Sequence, residues 1–193
     1  MPLYFGRCMD YINKKTAFIG HRNVYYEGKI SKRLKAAVEE RIKNGCKSFI
    51  MGTHGDFDSL ALSVCKEARK TYRDIDIEVV LTSYHTVEQK DELHSMPYAD
   101  VETFMYDVDN THFKRRIIVS NRKMIDECDT LICYVDERQY RSGAKKAMNY
   151  AKRNGVKIIN IFRADDFPTF GMTESERKAY WAALTAPRPR PDK

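Results

Sequence analysis

Residues 48 to 62, Ser-Phe-Ile-Met-Gly-Thr-His-Gly-Asp-Phe-Asp-Ser-Leu-Ala-Leu, set a short apolar run, a polar turn with two glycines and an amphipathic segment in direct succession. This order reads as a strand that empties through a glycine-permitted turn into a helix. Leu60, Ala61, Val64, Cys65 and Ala68 recur at helical spacing, and Asp58 or Ser59 is placed to cap the start. The first amides of a helix have no partner inside it, so the turn is shaped for an anion. Strand-to-helix turns with Gly-x-x-Gly also occur where nothing binds, and the rest of the chain has to supply the weight.

The same unit recurs. Thr16-Ala-Phe-Ile19 ends in Gly20-His21-Arg22, and Ile30, Leu34, Ala37, Val38 and Ile42 then keep helical spacing up to a stop at Asn44-Gly45. Ile75–Leu81 reads as a third strand facing the loop Thr82–His85, with a long polar loop or short helix over 86–98. Val101–Tyr106 reads as a fourth strand. His112–Cys128 reads as a helix with Phe113, Ile117, Ile118, Met124, Ile125 and Cys128 on its apolar face. Thr130–Val135 is then a buried strand, Ala144, Ala147, Met148 and Ala151 open a helix that stops at Asn154-Gly155, and Val156–Phe162 is the last strand. Strands that alternate with helices predict an α/β, Rossmann-like fold, a mostly parallel sheet of about six strands with helices on both faces. Residues 1–185, with a short helix over Glu174–Leu184, are expected to form a single domain, followed by a Pro/Arg-rich disordered tail over 186–193.

Composition adds bounds. At 193 residues the chain can bury a core without staples, and 42% apolar with 32% charged residues excludes global disorder. The formal charge of +7 points weakly to nucleotides or nucleic acid, because the excess is spread along the chain and a solvated basic surface also explains it. The five cysteines, Cys8, Cys46, Cys65, Cys128 and Cys133, lack any C-x-x-C spacing, which argues against a disulfide framework or zinc site and for reduced core residues in a cytoplasmic setting. No run approaches a membrane span, and no membrane partner is expected.

In an open parallel sheet, ligands bind outside the carboxyl ends of the strands. Four junctions end there with polar or glycine-bearing turns: Gly20-His21-Arg22, Gly52-Thr53-x-Gly55 through Asp58, Ser83 to His85, and Arg141-Ser142-Gly143. Ser142 and Gly143 open a helix whose dipole is worth on the order of 0.3–1 kcal/mol toward an anion. Arg22 adds a charge-assisted hydrogen bond of about 1.5–3 kcal/mol. Gly20 and Gly143 serve either turn closure or ligand approach. Asp56 and Asp58 form a carboxylate pair, of which helix capping explains one. His21, His54 and His85 sit on separate turns without a ligand spacing, so no metal is expected.

Taken together, Ala17-Phe-Ile-Gly-His-Arg22, Gly52-x-x-Gly55-x-x-Asp58-x-x-Ala61, Asn121-Arg122-x-Met-x-Asp-x-Cys-Asp129 and Ser142-Gly143 resemble the SLOG superfamily, which joins Smf/DprA single-strand DNA-binding proteins to LOG nucleotide-processing enzymes. The likeness spans residues 16 to 162 and is nearest to the YpsA-like branch, whose members carry a T-[AC]-x-x-G-H-R motif after the first strand. It implies a nucleotide or nucleotide-derivative ligand, with no definite cofactor, held by Gly20, His21, Arg22, Gly52, Gly55, Asp58, Asn121, Arg122, Ser142 and Gly143. The P-G-G-x-G-T turn and glutamates of LOG-type hydrolases are absent here. An N-glycosidic-bond hydrolase with Asp58 or Asp56 as nucleophile or base is the alternative, and single-stranded nucleic acid binding of DprA type is a further one. A homo-oligomer is compatible with either.

Overall fold

Parallel pairing throughout the sheet forces every connection to cross back over a face, and this decides where the loops collect. The computed structural model describes residues 14–25, 27–81, 98, 100–107, 112–139, 141–166 and 171–185. The lead-in 1–13, the loop 82–97 with Ser83 and His85, and the tail 186–193 lie outside the described residues. The described residues up to 162 form one compact unit and those from 163 on a second.

The first unit runs β1 (Lys15–Gly20), α1 (Glu27–Lys43), β2 (Ser48–Met51), α2 (Asp56–Thr71), β3 (Asp76–Val80), β4 (Glu102–Phe104), α3 (Phe113–Asp126), β5 (Thr130–Tyr134), α4 (Gly143–Arg153) and β6 (Lys157–Asn160). The sheet order is β4-β3-β2-β1-β5-β6, and all five pairings are parallel. The fold is therefore α/β and Rossmann-like, with the expected strands and helices in the expected order. The order in which strands are added reverses between β1 and β5, which pair in parallel from Thr16 with Thr130 to Gly20 with Tyr134. That is where a doubly wound sheet opens a crevice.

Each face has its own core. Phe18, Phe49, Met51, Ile77 and Val79 pack under Ile30, Leu34 and Val38 of α1 and Phe57, Leu60 and Val64 of α2. Ala17, Ile19, Ile50, Leu131 and Cys133 pack under Met124 and Ile125 of α3 and Ala144, Ala147 and Met148 of α4. Cys46, Cys65, Cys128 and Cys133 are free and buried, as small core residues. The stops at Gly45 and Gly155 have φ of 85° and 74°, the left-handed values that favour glycine after a helix.

Two expectations are corrected. The cap of α2 is Gly55, three residues before Asp58, because the helix already begins at Asp56. Ile118 of α3 is 47% exposed. The buried arc of that helix runs through Ser120, Met124 and Ile125, and at about 100° per residue Ile118 falls on its margin.

Arg41 is a buried cation that helical spacing alone does not flag. Its Nε donates to Thr16 Oγ1 at 2.9 Å and its NH2 group to both Asp129 oxygens at 2.7 and 2.8 Å, tying α1 to the start of β5. At the far end of β5, the Asn160 side chain accepts from the Val135 amide at 3.1 Å and donates to the Val135 carbonyl at 2.9 Å, extending the sheet's pairing beyond β6.

The second unit holds a short 3-10 turn at Ala164–Asp166 and α5 (Glu174–Thr185). Thr173 and Glu176 form a capping box: the Thr173 amide donates to Glu176 Oε2 at 2.7 Å, and the Glu176 amide donates to Thr173 Oγ1 at 3.4 Å.

Removing one partner of a buried pair strands the other charge. Asp129→Ala is expected to lower urea-unfolding stability by about 3 kcal/mol, the low end for buried pairs because the Asp129 side chain is 35% exposed.

Candidate functional site

A cavity of about 370 Å³ opens at the reversal point, and Gly20, His21, Arg22, Gly52, Gly55, Asp58, Asn121, Ser142 and Gly143 all line it. Three of the four predicted junctions thus meet in one hollow, and the fourth, at Ser83, lies outside the described residues. Its floor is apolar, from Phe18, Ile19, Val80 and Met124.

The glycines have different causes. A Cβ on Gly20 would stand 2.4 Å from the Phe57 ring, so this glycine makes room for α2 to dock on β1. Phe57 in turn stacks on buried Tyr134, with centroids 5.9 Å apart. A Cβ on Gly55 would meet the Arg22 Cα at 2.8 Å, and one on Gly52 would meet Asp58 Oδ2 at 3.2 Å. A Cβ on Gly143 would meet no atom within 4 Å. The protein's own packing requires Gly20 and Gly55, Gly52 leaves a Cβ only a tight fit against the Asp58 carboxylate, and of the four only Gly143 has no described atom within 4 Å.

His21 is held as a fixed neutral ring. Its Nε2 accepts the Asp136 amide at 2.8 Å, which places the proton of the neutral imidazole on Nδ1, where it is donated to Ser142 Oγ at 3.1 Å. Burial lowers the imidazole's pKa against the opposing pull of Asp136, in keeping with the neutral form. Asp136 is itself clamped by Arg138, whose Nε and NH2 groups each donate to it at 2.8 Å. With Nδ1 protonated, His21 cannot take a proton from Ser142, so the pair is no serine nucleophile and base. Ser142 Oγ also caps α4 by accepting the Lys145 amide at 3.3 Å. Both its lone pairs are then engaged, and its hydroxyl proton remains as a donor.

The two helix starts at this rim differ in donor capacity. At α2, Asp58 Oδ2 accepts the His54 amide at 2.8 Å, its carboxylate also takes the Gly55 amide, and the Asp56 amide donates to the Arg22 carbonyl at 2.7 Å. The turn at 52–58, read from sequence as the anion site, is closed from within by its own carboxylate. At α4, the Gly143 and Ala144 amides have no partner among the described residues, and both residues line the hollow. Arg22 donates from Nε to the His54 carbonyl at 3.4 Å and pairs with no carboxylate among the described residues.

Burial pushes the Asp58 carboxyl up to about 6, although two amides favour its ionised form. Asp56 stands apart from the hollow and accepts the Val24 amide at 3.1 Å, holding the loop after β1. Thr53 is half-buried in its turn without lining the cavity. Arg122 faces elsewhere: its guanidinium lies 5.3 Å from the Tyr150 ring centroid and borders a basic depression with Lys146, Lys152 and Arg153. The cavity also contains His54, Ser120 and Gln139, which were not assigned to it from sequence. For Ser120 the sequence did hold a signal, a polar residue at a position three or four residues from Ile117 and Met124 on the buried arc.

Gly20→Ala is expected to destabilise the fold by about 1–3 kcal/mol through overpacking, whereas Gly143→Ala changes thermal stability by less than about 1 kcal/mol. Asp58 has its folded-state value above the ordinary 3.8, so its stabilising contribution is present below that value and is lost as the pH rises through about 6. His21 and His54 are lowered, so theirs is complete above 6.5 and lost as the pH falls. Asp58→Asn should remove the alkaline decline, about 3 kcal/mol between roughly pH 4 and 8, and keep the acidic one; urea unfolding across that range measures both.

No family model matches this chain, and no curated protein matches it. Among solved structures it is similar to a probable mandelate racemase from Alicyclobacillus acidocaldarius, at 14% identity and a TM-score of 0.32, over 75% of this chain and 41% of that one; a likeness at that score carries no argument.

Proposed function

We propose that this chain binds a nucleotide or nucleotide derivative, with its phosphate in the hollow at the β1–β5 reversal. One observation carries this reading: Arg22, the Gly143 and Ala144 amides and the Ser142 hydroxyl line a single cavity as donors that the described residues leave available. Four such donors suit a phosphate, which offers three acceptor oxygens and up to two charges. The apolar floor suits a base or sugar face, and about 370 Å³ lies within the range of small-molecule sites. The likeness of Gly20-His21-Arg22, Gly52-x-x-Gly55-x-x-Asp58 and Ser142-Gly143 to SLOG motifs of the YpsA-like branch favours the same ligand class.

The second reading is a hydrolase acting on an N-glycosidic bond. The raised Asp58 carboxyl, about 6 and half-buried at the hollow, favours it, because a group poised there can exchange a proton near neutral pH. Asp58 would act alone, since Asp56 is spent on the Val24 amide.

Calorimetric titration with ATP, NAD, ADP-ribose and cyclic nucleotides tests the leading reading. At least one is expected to bind, and Arg22→Ala to weaken it by roughly ten-fold or more, the worth of one charge-assisted hydrogen bond. Arg122→Ala should leave the affinity unchanged within about two-fold, because that side chain belongs to the outer depression. Silence across the panel at millimolar ligand would refute binding. Release of free base, lost in Asp58→Asn, would establish the hydrolase instead.

A further inference from the structure

The polar inventory of the hollow does not stop at its phosphate donors. On the wall formed by α3, Ser120 is 2% exposed and its hydroxyl has no hydrogen-bond partner among the described residues. Such a group is costly to bury, and native cores rarely keep one. On the wall formed by α2, the Asp58 carboxylate accepts two amides of its own turn and no cation pairs with it among the described residues. A carboxylate has about four acceptor positions, so it retains capacity for a ligand donor.

We propose that the hollow selects a phosphorylated polyol, a sugar phosphate unit, over a bare phosphate ion, with Asp58 accepting one ligand hydroxyl and Ser120 bonding a second ligand oxygen from the opposite wall. This rests on the reading that the hollow holds phosphate. The chemistry favours hydroxyls over an ammonium. A sugar oxygen both donates and accepts, so it satisfies an acceptor-only carboxylate and also takes the Ser120 proton. An ammonium has no lone pair for Ser120 and would share the hollow with Arg22. The raised Asp58 carboxyl agrees with this, since the half-buried group has no cation among the described residues to hold it ionised.

Calorimetric titration of the full chain with inorganic phosphate and with ribose 5-phosphate separates the outcomes. Ribose 5-phosphate is expected to bind roughly ten-fold or more tighter than phosphate, and the ratio of the two affinities to fall most of the way to one in Ser120→Ala and in Asp58→Asn. Ser120→Ala should melt no lower than the parent, because it removes an orphaned hydroxyl. Equal binding of the two probes, or a preference kept in both variants, overturns this inference and leaves the phosphate site standing. Failure of both probes to bind overturns the phosphate site and this inference together.

Discussion

The carboxyl ends of β1 and β5 are stitched together at His21. Its amide donates to the Tyr134 carbonyl at 3.0 Å, its Nε2 accepts the Asp136 amide, and its Nδ1 reaches the cap of α4. Two adjacent parallel strands whose chains depart to opposite faces leave a gap at their ends, and this one ring spans it. Because both nitrogens are engaged, the ring fixes the direction of Ser142 and so the start of α4. The Ser142 hydroxyl and the Gly143 and Ala144 amides take their places from that arrangement.

The hollow is electrically divided. One helix start, at α2, is neutralised by its own Asp58, and the other, at α4 beside Arg22, has no partner for its first amides among the described residues. Helix dipoles and free amides act over a single turn, so which terminus is already satisfied decides where an anion can sit. Glycine follows the same logic. Gly20 and Gly55 are required by Phe57 and Arg22, Gly52 is a tight fit against Asp58, and of these four site glycines only Gly143 leaves space that no described residue occupies.

Much of the fold is legible in the sequence. Apolar runs that end in polar turns, followed by helical spacing, mark β1, β2 and β5 with their helices, because buried parallel strands must be apolar on both faces. The convergence of Gly20, Gly55 and Gly143 is legible too, since a parallel sheet sends all such turns to one edge. What could not be read is which hydrogen bonds close within the chain. Spacing puts Asp58 in the turn without saying that it consumes the His54 and Gly55 amides. It puts Arg122 beside Asn121, yet the two point to different sides of α3, as neighbours on a helix must. Arg41 and Ser120 sit at buried helical positions where an apolar pattern search skips them, and their burial depends on Asp129 and on the hollow, both distant in sequence.

The most direct test is an amide NMR titration with inorganic phosphate. The account predicts that the Gly143 and Ala144 amides move downfield on binding, while those of His54 and Gly55, already held by Asp58, stay in place. Movement of His54 and Gly55 with Gly143 and Ala144 unchanged, or no shift at any of the four, would contradict it.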